Sequence, residues 1–448
     1  MNRRKFIALP GAAAAALPAP TLATPQTTSA FGLDASYLGV RPESSEDQSA
    51  ALQRAIDHAA RLRAPLALSP GTYRVGNLVL PDGAQLIGTR GATRLMFAGG
   101  SSLLSSQGAD HVSLSGLVLD GAGQPLPEKR GLVHCESGSG VAITDCTIVG
   151  SGGHGVMLVA MAGEVSGTTI NESADVALVS FDARGLTIAR NTIMDAGNNG
   201  IQILRSADGE DGTIIRDNRV ERIANRAGGS GQYGNAINAH RAGNVIVRGN
   251  RIRDCAFSAV RGNTASNIQI VGNSVSGVGE VALYSEFSFE GALIAHNTVD
   301  GASIGVSVAN FNEGGRLAVV EGNIIRNLKR RRSDAAEEES GYGIYVEADT
   351  AVTGNVVENA ANAGLVLGWG KYLRDVAVTG NVVRKAAIGV AVSVVPGAGN
   401  AVIASNVISG ATRGAIVGMD HARPVTGDLL TEGVDRYAHL SVSGNRAS

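Results

Sequence analysis

The chain has 448 residues with 60 glycines, only 4% aromatic residues and a formal net charge of −2. This length would suggest two or three globular domains, but a solenoid grows as one fold by adding repeats. The near-neutral charge argues against a nucleic-acid-binding surface. The three cysteines, Cys135, Cys146 and Cys255, have no metal-ligand spacing, and an odd number argues against a disulfide framework. We expect them to be small buried hydrophobic residues.

Residues 1–23 are predicted to be an export signal. Arg3, Arg4 and Lys5 precede an Ala-rich apolar stretch, and Ala23 ends a small-residue cleavage site. The Arg pair followed by Phe6 resembles the twin-arginine motif, which implies export to the periplasm or beyond by the twin-arginine machinery. An ordinary Sec signal is the alternative. The apolar stretch is too short to span a membrane, and no later stretch is long enough. Removing the three basic residues would leave a mature chain near −5.

After a linker at residues 24–35, an amphipathic helix and short strands are predicted over about residues 36–90. Ser45-Glu46-Asp47-Gln48 has a capping-box pattern. One apolar helix face follows at helical spacing: Leu52, Ala55, Ile56, Ala59 and Leu62. The strand sequence Pro70-Gly71-Thr72-Tyr73 after such a helix resembles the opening of the pectate-lyase-like superfamily, although Arg41-Pro42-Glu43 replaces the usual Asp-Gly-rich run. The resemblance implies a helix that covers the first turn of a β-helix.

From about residue 110 to residue 448 a unit of alternating Val and Ile, followed by Gly-Asn, recurs. Its asparagines are spaced by 23 to 32 residues: Asn191, Asn218, Asn250, Asn273, Asn297, Asn323, Asn355, Asn381 and Asn406, with Asn445 as a candidate last member. A period in the twenties without a regular Leu scaffold is typical of a parallel β-helix, and asparagines at one turn can stack in a ladder. We therefore predict an all-β, right-handed parallel β-helix of twelve or thirteen rungs, forming a single domain over residues 36–448.

The whole chain resembles the family of twin-arginine-translocated repetitive β-helix proteins within the pectate-lyase-like superfamily. It shares that family's twin-arginine start, N-terminal cap and Gly-Asn repeats. The family has no established activity, so the resemblance implies fold and location only. In the wider superfamily, sugar chains usually bind the outward face of the strand that follows the Asn turn and its loop.

Along that strand, four rungs keep a 23-residue register. The inward column is Ile237, Val260, Leu283 and Val306. Because strand faces alternate, the outward columns are predicted to place six polar side chains on three adjacent rungs, about 4.8 Å apart: Asn238, His240, Arg261, Asn263, Tyr284 and Glu286. A solvated strand face would also be polar, which is the alternative interpretation. The Gly-rich loop 225–234 and the charged loop 329–340 are expected to wall a groove, the second as a mobile segment.

Three hypotheses follow from this patch. In a lyase or C5-epimerase on uronate glycans, Arg261 would neutralise the substrate carboxylate, His240 would be the base, Tyr284 the acid, and Glu286 would tune His240. The first alternative is an inverting glycoside hydrolase using Glu286 and Glu347, which are roughly 9.6 Å apart by register. The second is a non-catalytic glycan-binding or structural protein. The predicted substrate-binding residues are Asn238, Asn263, Gln202, Tyr345, Glu347 and Trp369.

The remaining residues are weaker candidates for a functional site. His134, Glu136 and His154 lie on earlier strands, and Trp369 is the only tryptophan, in a loop suited to stacking on a sugar ring. Asp175 and Asp182 are candidates for a Ca²⁺ site, but no ligand spacing supports one. No cofactor and no metal site are therefore predicted.

Overall fold

The computed structural model describes residues 28–29, 32–330, 336 and 339–448. The predicted signal at 1–23, most of the predicted linker and residues 331–335 and 337–338 of the charged loop lie outside the described part, so those predictions stay open. The described residues form a parallel β-solenoid of about fourteen turns with a helix at its N-terminal end. This confirms the predicted fold class and gives slightly more turns than expected. No helix in the described part is long and apolar enough to cross a membrane.

Each turn of the solenoid contributes one strand to each of three parallel stacks. The first stack, which precedes the Asn turn, begins with Thr28–Ser29 antiparallel to its second strand. Its parallel members are Gly32–Asp34, Leu66–Ala67, Gln85–Ile87, Ser113–Ser115, Val141–Thr144, Gly163–Ser166, Leu186–Ala189, Ile214–Arg216, Ile246–Arg248, Ile268–Val271, Glu290–Ala295, Arg316–Glu321, Ala348–Thr353, Arg374–Thr379, Ala401–Ala404 and Leu440–Ser443.

The second stack follows the Asn turn. Its members are Gly71–Val75, Thr93–Phe97, Val118–Asp120, Thr147–Val149, Thr169–Asn171, Thr192–Met194, Arg219–Ile223, Arg251–Cys255, Ser274–Ser276, Thr298–Ala302, Ile324–Leu328, the first halves of Val356–Leu367 and Val382–Ser393, Val407–Ser409 and Arg446–Ala447.

The third stack presents the face on which the sequence places the candidate site. Its members are Leu78–Val79, Leu104–Gln107, Gly131–Glu136, His154–Val159, Leu178–Phe181, Ile201–Glu210, Ile237–Gly243, Val260–Asn263, Val281–Glu286, Ile304–Val308, Tyr342–Val346, the second halves of Val356–Leu367 and Val382–Ser393, and Ile416–Asp420. The stack ends in a hairpin, because Arg423–Asp428 runs antiparallel to Ile416–Asp420 and leads into helix α2, Leu429–Glu432.

The asparagine ladder forms as predicted between the first two stacks. Asn273 is typical: its Oδ1 accepts from the backbone N and the Nδ2 of Asn250, and its own Nδ2 donates to Val247 O and Asn297 Oδ1. The ladder runs from Asn191 to Asn445, which closes it by accepting from Asn406. The preceding Gly272 has φ +66°, the left-handed conformation that glycine adopts without steric cost. The Gly-Asn pair therefore combines a turn residue with a ladder residue.

Helix α1, Ser49–Arg61, covers the first turns through its apolar face. Leu52, Ala55, Ile56 and Ala59 are buried, whereas Leu62 is exposed. The predicted capping box is wrong in its details. The N-cap is Gln48 without a side-chain cap bond, and Asp47 accepts from the Ser49 amide instead. The amphipathic face survives this difference because it depends on residue spacing, not on the first turn.

The core is a continuous apolar column inside the three stacks. Ile237, Val260, Leu283 and Val306 are fully buried and paired rung to rung, as predicted. All three cysteines are buried and unpaired; burial raises the pKa of Cys135 and Cys146 to about 11 and that of Cys255 to about 12. They therefore remain protonated and behave as apolar core residues.

Candidate functional site

Three outward columns, not two, run along the third stack. The predicted columns hold Asn238, Arg261 and Tyr284, and alongside them His240, Asn263 and Glu286. The additional column lies two residues before the inward position, because the strand bends at the residue between them; it holds Val281, Ile304, Tyr342, Ala363 and Ile388. At the bend itself, a Cβ at Gly305 would overlap Ile325, so glycine is required. Sequence reasoning missed the third column because strict alternation would place it inside. The available signal was the glycine that recurs at the bend in the later turns, namely Gly305, Gly343, Gly364 and Gly389.

Arg261, Glu280, Glu286, Asn263 and His240 form a group that we call the closed cluster. Arg261 is only 8% exposed; its Nε lies 2.5 Å from Glu286 Oε1, and its Nη1 lies 3.8 Å from Glu280 Oε2. Burial by itself lowers the pKa of Arg261, but the charges of Glu286 and Glu280 outweigh burial and hold it above its usual range. Two carboxylates therefore already compensate this guanidinium.

A hydrogen-bonded chain connects the histidine of the closed cluster to its carboxylate. His240 Nδ1 lies 3.1 Å from Asn263 Oδ1, and Asn263 Nδ2 donates to Glu286 Oε1 at 3.0 Å. The connection between Glu286 and His240 is therefore indirect and runs through the Asn263 amide. Glu286 is 2% exposed, while His240 is half-buried at the end of the chain of bonds.

The Gly-rich loop 225–234 lies on top of the closed cluster. Gln232 O accepts from Asn238 Nδ2 at 3.4 Å and from Asn199 Nδ2 at 3.0 Å. Gly231 packs so closely on Arg261 that a Cβ there would overlap the guanidinium. The loop was expected to wall a groove beside these residues; instead it contributes to burying Arg261.

The next rungs toward the C-terminus hold a cleft of about 180 Å³, which we call the open cleft. It is lined by Tyr284, Ile304, Ser307, Ala309, Asn310, Glu339, Tyr342, Tyr345, Glu347 and Trp369. Four of the residues selected from the sequence thus meet here: Tyr284, Tyr345, Glu347 and Trp369. The other six do not line this cleft: Gln202, Asn238, His240, Arg261, Asn263 and Glu286.

Glu347 is the buried carboxylate of the open cleft. It is 6% exposed; the Tyr345 hydroxyl donates to its Oε1, and the Phe311 amide donates to its Oε2 at 2.6 Å. Burial raises the pKa of Glu347, and this effect outweighs the lowering by hydrogen bonds from the Tyr345 hydroxyl and from the backbone of Phe311 and Asn310. Burial and the nearby Glu347 charge also raise the pKa of Tyr345 well above its usual value, so its hydroxyl stays a donor.

Aromatic rings form much of the wall of the open cleft. Tyr284, Tyr342 and Tyr345 are contributed by strands, and Trp369 by a loop in which its backbone pairs with Tyr372. Trp369 is held edge-on against His421 with ring centroids 5.4 Å apart, and Phe311 packs edge-on against Tyr372 at 6.4 Å. Rings fixed in this way can stack on the apolar faces of sugar rings without losing much conformational entropy.

The charges of the open cleft have one sign. Its lining includes two carboxylates, Glu347 and Glu339, and no Lys, Arg or His among the described residues. Glu339 is half-buried at the described end of the charged loop, which therefore reaches the cleft as expected. Such a lining favours a neutral ligand rich in hydroxyl groups over a polyanion.

The remaining candidates lie elsewhere on the solenoid. His134 contacts Glu136 at 2.6 Å and is buried, and His154 lies 3.5 Å from Asp175. Asp175 also accepts from Asn198, while Asp182 accepts from Ser206, so each of these two carboxylates already has partners. In the described part of the chain, no group of three or more His, Cys, Asp or Glu side chains is arranged to hold a metal ion.

Comparisons with known proteins identify the fold. Residues 107–231 and 209–383 match the family model described as a right handed beta helix region. The N-terminal fragment of bacteriophage phi29 gene product 12 is 15% identical over 94% of this chain and 71% of that chain, with a TM-score of 0.57. No curated protein sequence matches the chain.

Two enzymes are more distant in structure. The catalytic unit of a GH87 alpha-1,3-glucanase from Streptomyces thermodiastaticus is 14% identical over 94% of this chain and 69% of that chain, with a TM-score of 0.47. The A-module of the mannuronan C-5 epimerase AlgE6 from Azotobacter vinelandii is 16% identical over 93% and 99%, with a TM-score of 0.42. At such identities the likeness concerns the fold alone.

Proposed function

The chain belongs to the family of proteins with a right-handed β-helix region, and we propose that it acts on a polysaccharide that lies along the outward face of the third stack. The open cleft is the proposed centre. A glycan chain needs an elongated surface, rings for stacking and polar groups for its hydroxyls. Tyr284, Tyr345 and Trp369 supply the rings, and Ser307 and Asn310 supply polar groups.

One observation supports the choice of reaction: Glu347 is a buried carboxyl group with a raised pKa, and it lies in an aromatic cleft. A carboxyl of this kind stays protonated at higher pH than usual and can protonate the leaving oxygen of a glycosidic bond. Hydrolysis requires a second carboxylate, and Glu339 lines the same cleft. We assign Glu347 as the acid and Glu339 as the partner of a glycoside hydrolase.

Hydrolysis fits the open cleft better than lyase or C5-epimerase chemistry does. Both of the latter need a cation available to the uronate carboxylate. Arg261 is buried under loop 225–234 and compensated by Glu286 and Glu280, and the open cleft is lined by carboxylates. Glu286 is likewise engaged by Arg261, which is why Glu339 replaces it as the second carboxylate.

The test is turnover of a panel of neutral and uronate polysaccharides by the wild type and by Glu347→Gln and Glu339→Gln. We expect new reducing ends from a neutral glycan, and a loss of about 10²–10⁴-fold for Glu347→Gln. The matched control is Glu313→Gln, an exposed carboxylate on the neighbouring loop outside the cleft lining. An ultraviolet-absorbing unsaturated product from a uronate polymer would instead support the lyase. Full activity of Glu347→Gln would overturn the proposal.

The proposed place of action is outside the cytoplasm, reached by the twin-arginine route. Its support is the sequence Arg3-Arg4-Lys5-Phe6 before an apolar stretch. Replacing Arg3 and Arg4 by Lys should retain the folded protein in the cytoplasm, because the translocation machinery reads the Arg pair itself. Fractionation of the expressing cells measures this. Unchanged export would favour the Sec route.

A further inference from the structure

A small notch, lined by both aliphatic and polar side chains, adjoins the open cleft on its C-terminal side. It has a volume of about 50 Å³. Its floor consists of aliphatic side chains from the outward columns of the last three turns: Ala363, Val366, Ile388, Ala391 and Met419. These residues belong to a hydrophobic cluster that is separate from the solenoid core. The rest of the lining includes four polar side chains, those of Tyr342, Asn362, Arg413 and His421. Of these, Asn362 already donates its amide to Ser340 O.

The notch and the open cleft are parts of one surface. Tyr342 lines both. The wall is also shared, because Trp369 of the cleft packs edge-on against His421 of the notch at 5.4 Å. Val366 follows Tyr345 directly in the same outward column, about 4.8 Å away. A glycan chain in the cleft would therefore bring a neighbouring sugar, or a substituent on it, to the notch.

The size and chemistry of the notch select what can enter it. The volume of the notch is less than a third of the volume of the cleft, so the notch favours a small substituent over a whole sugar ring. A sugar hydroxyl would lose its water partners on this aliphatic floor, and such a loss is unfavourable. A methyl group would gain from the same transfer. Arg413 and His421 also line the notch, and their side chains carry N–H groups that can donate to a carbonyl oxygen.

We infer that the notch binds the acyl group of an O-acetylated polysaccharide, with the methyl group on the aliphatic floor and the ester carbonyl toward Arg413 and His421. The inference rests on the proposed function and narrows its substrate class to glycans that carry acetyl esters. Recognition here is a matter of binding, and no reaction at the ester is implied.

The test compares glycans that differ only in acetylation. Acetylated glucomannan and acetylated xylan, each with its alkali-deacetylated counterpart, are titrated against the full-length protein by calorimetry. We expect tighter binding of the acetylated form by roughly fourfold, the value for burying one methyl group. Val366→Thr keeps the side-chain shape but adds a hydroxyl, and Ala391→Leu fills the notch. Both should abolish the preference while retaining binding of the deacetylated glycan.

Val179→Thr is the matched control. Val179 is buried in the same outward column, seven rungs toward the N-terminus, and should tolerate the change with the preference intact. Equal affinity for both forms of a glycan that binds would overturn the inference and leave the proposed function standing. A preference that survives in Val366→Thr and Ala391→Leu would overturn the assignment to the notch. Failure to bind any glycan, in either form, would overturn both proposals.

Discussion

The closed cluster and the open cleft lie side by side on one sheet face, yet their carboxylates are in opposite situations. Glu286 and Glu347 occupy the same outward column, two rungs apart, and both are almost fully buried. Glu286 faces a guanidinium at 2.5 Å. Glu347 instead accepts hydrogen bonds from neutral groups, the Tyr345 hydroxyl and backbone amides of the loop that carries Phe311. In the closed cluster, burial therefore encloses an ion pair. In the open cleft, it raises the pKa of the carboxyl group of Glu347.

The difference comes from what covers each region. Loop 225–234 packs on Arg261 and contributes to closing the first region. In the second region, the loops that carry Asn310 and Trp369 line the cleft without filling it, and they contact each other through Phe311 and Tyr372. A buried charge is tolerated when it is paired, whereas an unpaired carboxyl responds by binding its proton more tightly. The same residue type in the same column thus acquires a structural or a chemical role from its neighbours.

The largest expected loss of stability comes from a substitution in the closed cluster. Glu286→Gln should lower the free energy of unfolding by about 3–5 kcal/mol, because it leaves Arg261 buried with only the more distant Glu280. Urea denaturation followed by circular dichroism measures the change. The double variant Arg261→Met/Glu286→Gln should be less destabilised than the sum of the single variants. An unchanged unfolding midpoint for Glu286→Gln would show that the charge of Glu286 is not needed to compensate Arg261. The contrast with Glu347 would then no longer hold.

A smaller loss of stability is expected from substitutions in the asparagine ladder, which lies at the turns of both regions. Asn273→Leu and Asn323→Leu should each cost roughly 1–3 kcal/mol, because each leaves buried ladder donors and acceptors unpaired. Asn273 belongs to the closed-cluster side and Asn323 to the cleft side, so similar losses would show that the scaffold is uniform. The control is Asn400→Leu, whose amide is exposed, with an expected change within about 0.5 kcal/mol. An unchanged melting temperature for Asn273→Leu would contradict its place in the ladder.

The smallest expected effect is a gain in stability, and it depends on pH. Since the folded-state pKa of Glu347 is raised above the ordinary value of 4.5, the folded protein loses stability as the pH rises above 4.5 and through the raised pKa. Glu347→Gln mimics the protonated acid and avoids this loss. The variant should therefore melt higher than the wild type at neutral pH and equally below pH 4.5. A variant that is less stable at neutral pH would show that Glu347 is held charged, like Glu286.

Much of the solenoid was predictable because its rules are local and repeated. The Gly-Asn pairs placed the ladder, and the Val and Ile alternation placed Ile237, Val260, Leu283 and Val306 inside, in the correct register. The amphipathic spacing located helix α1 although its capping residues were assigned wrongly. These features depend on contacts between equivalent positions of adjacent turns, which a periodic sequence displays directly.

Which outward side chains remain accessible to a ligand depends on contacts that form only in the tertiary structure. The repeat pattern alone was enough to place Arg261, Tyr284 and Glu286 on one face, with Tyr345 and Glu347 following on it. It could not show that Gly231 would pack on Arg261, that a bend at Gly305 would add a third column, or that Trp369 would wall a cleft over Glu347. Loops of irregular length make these contacts between residues that no period relates, and burial by such loops is what separates an ion pair from a carboxyl with a raised pKa.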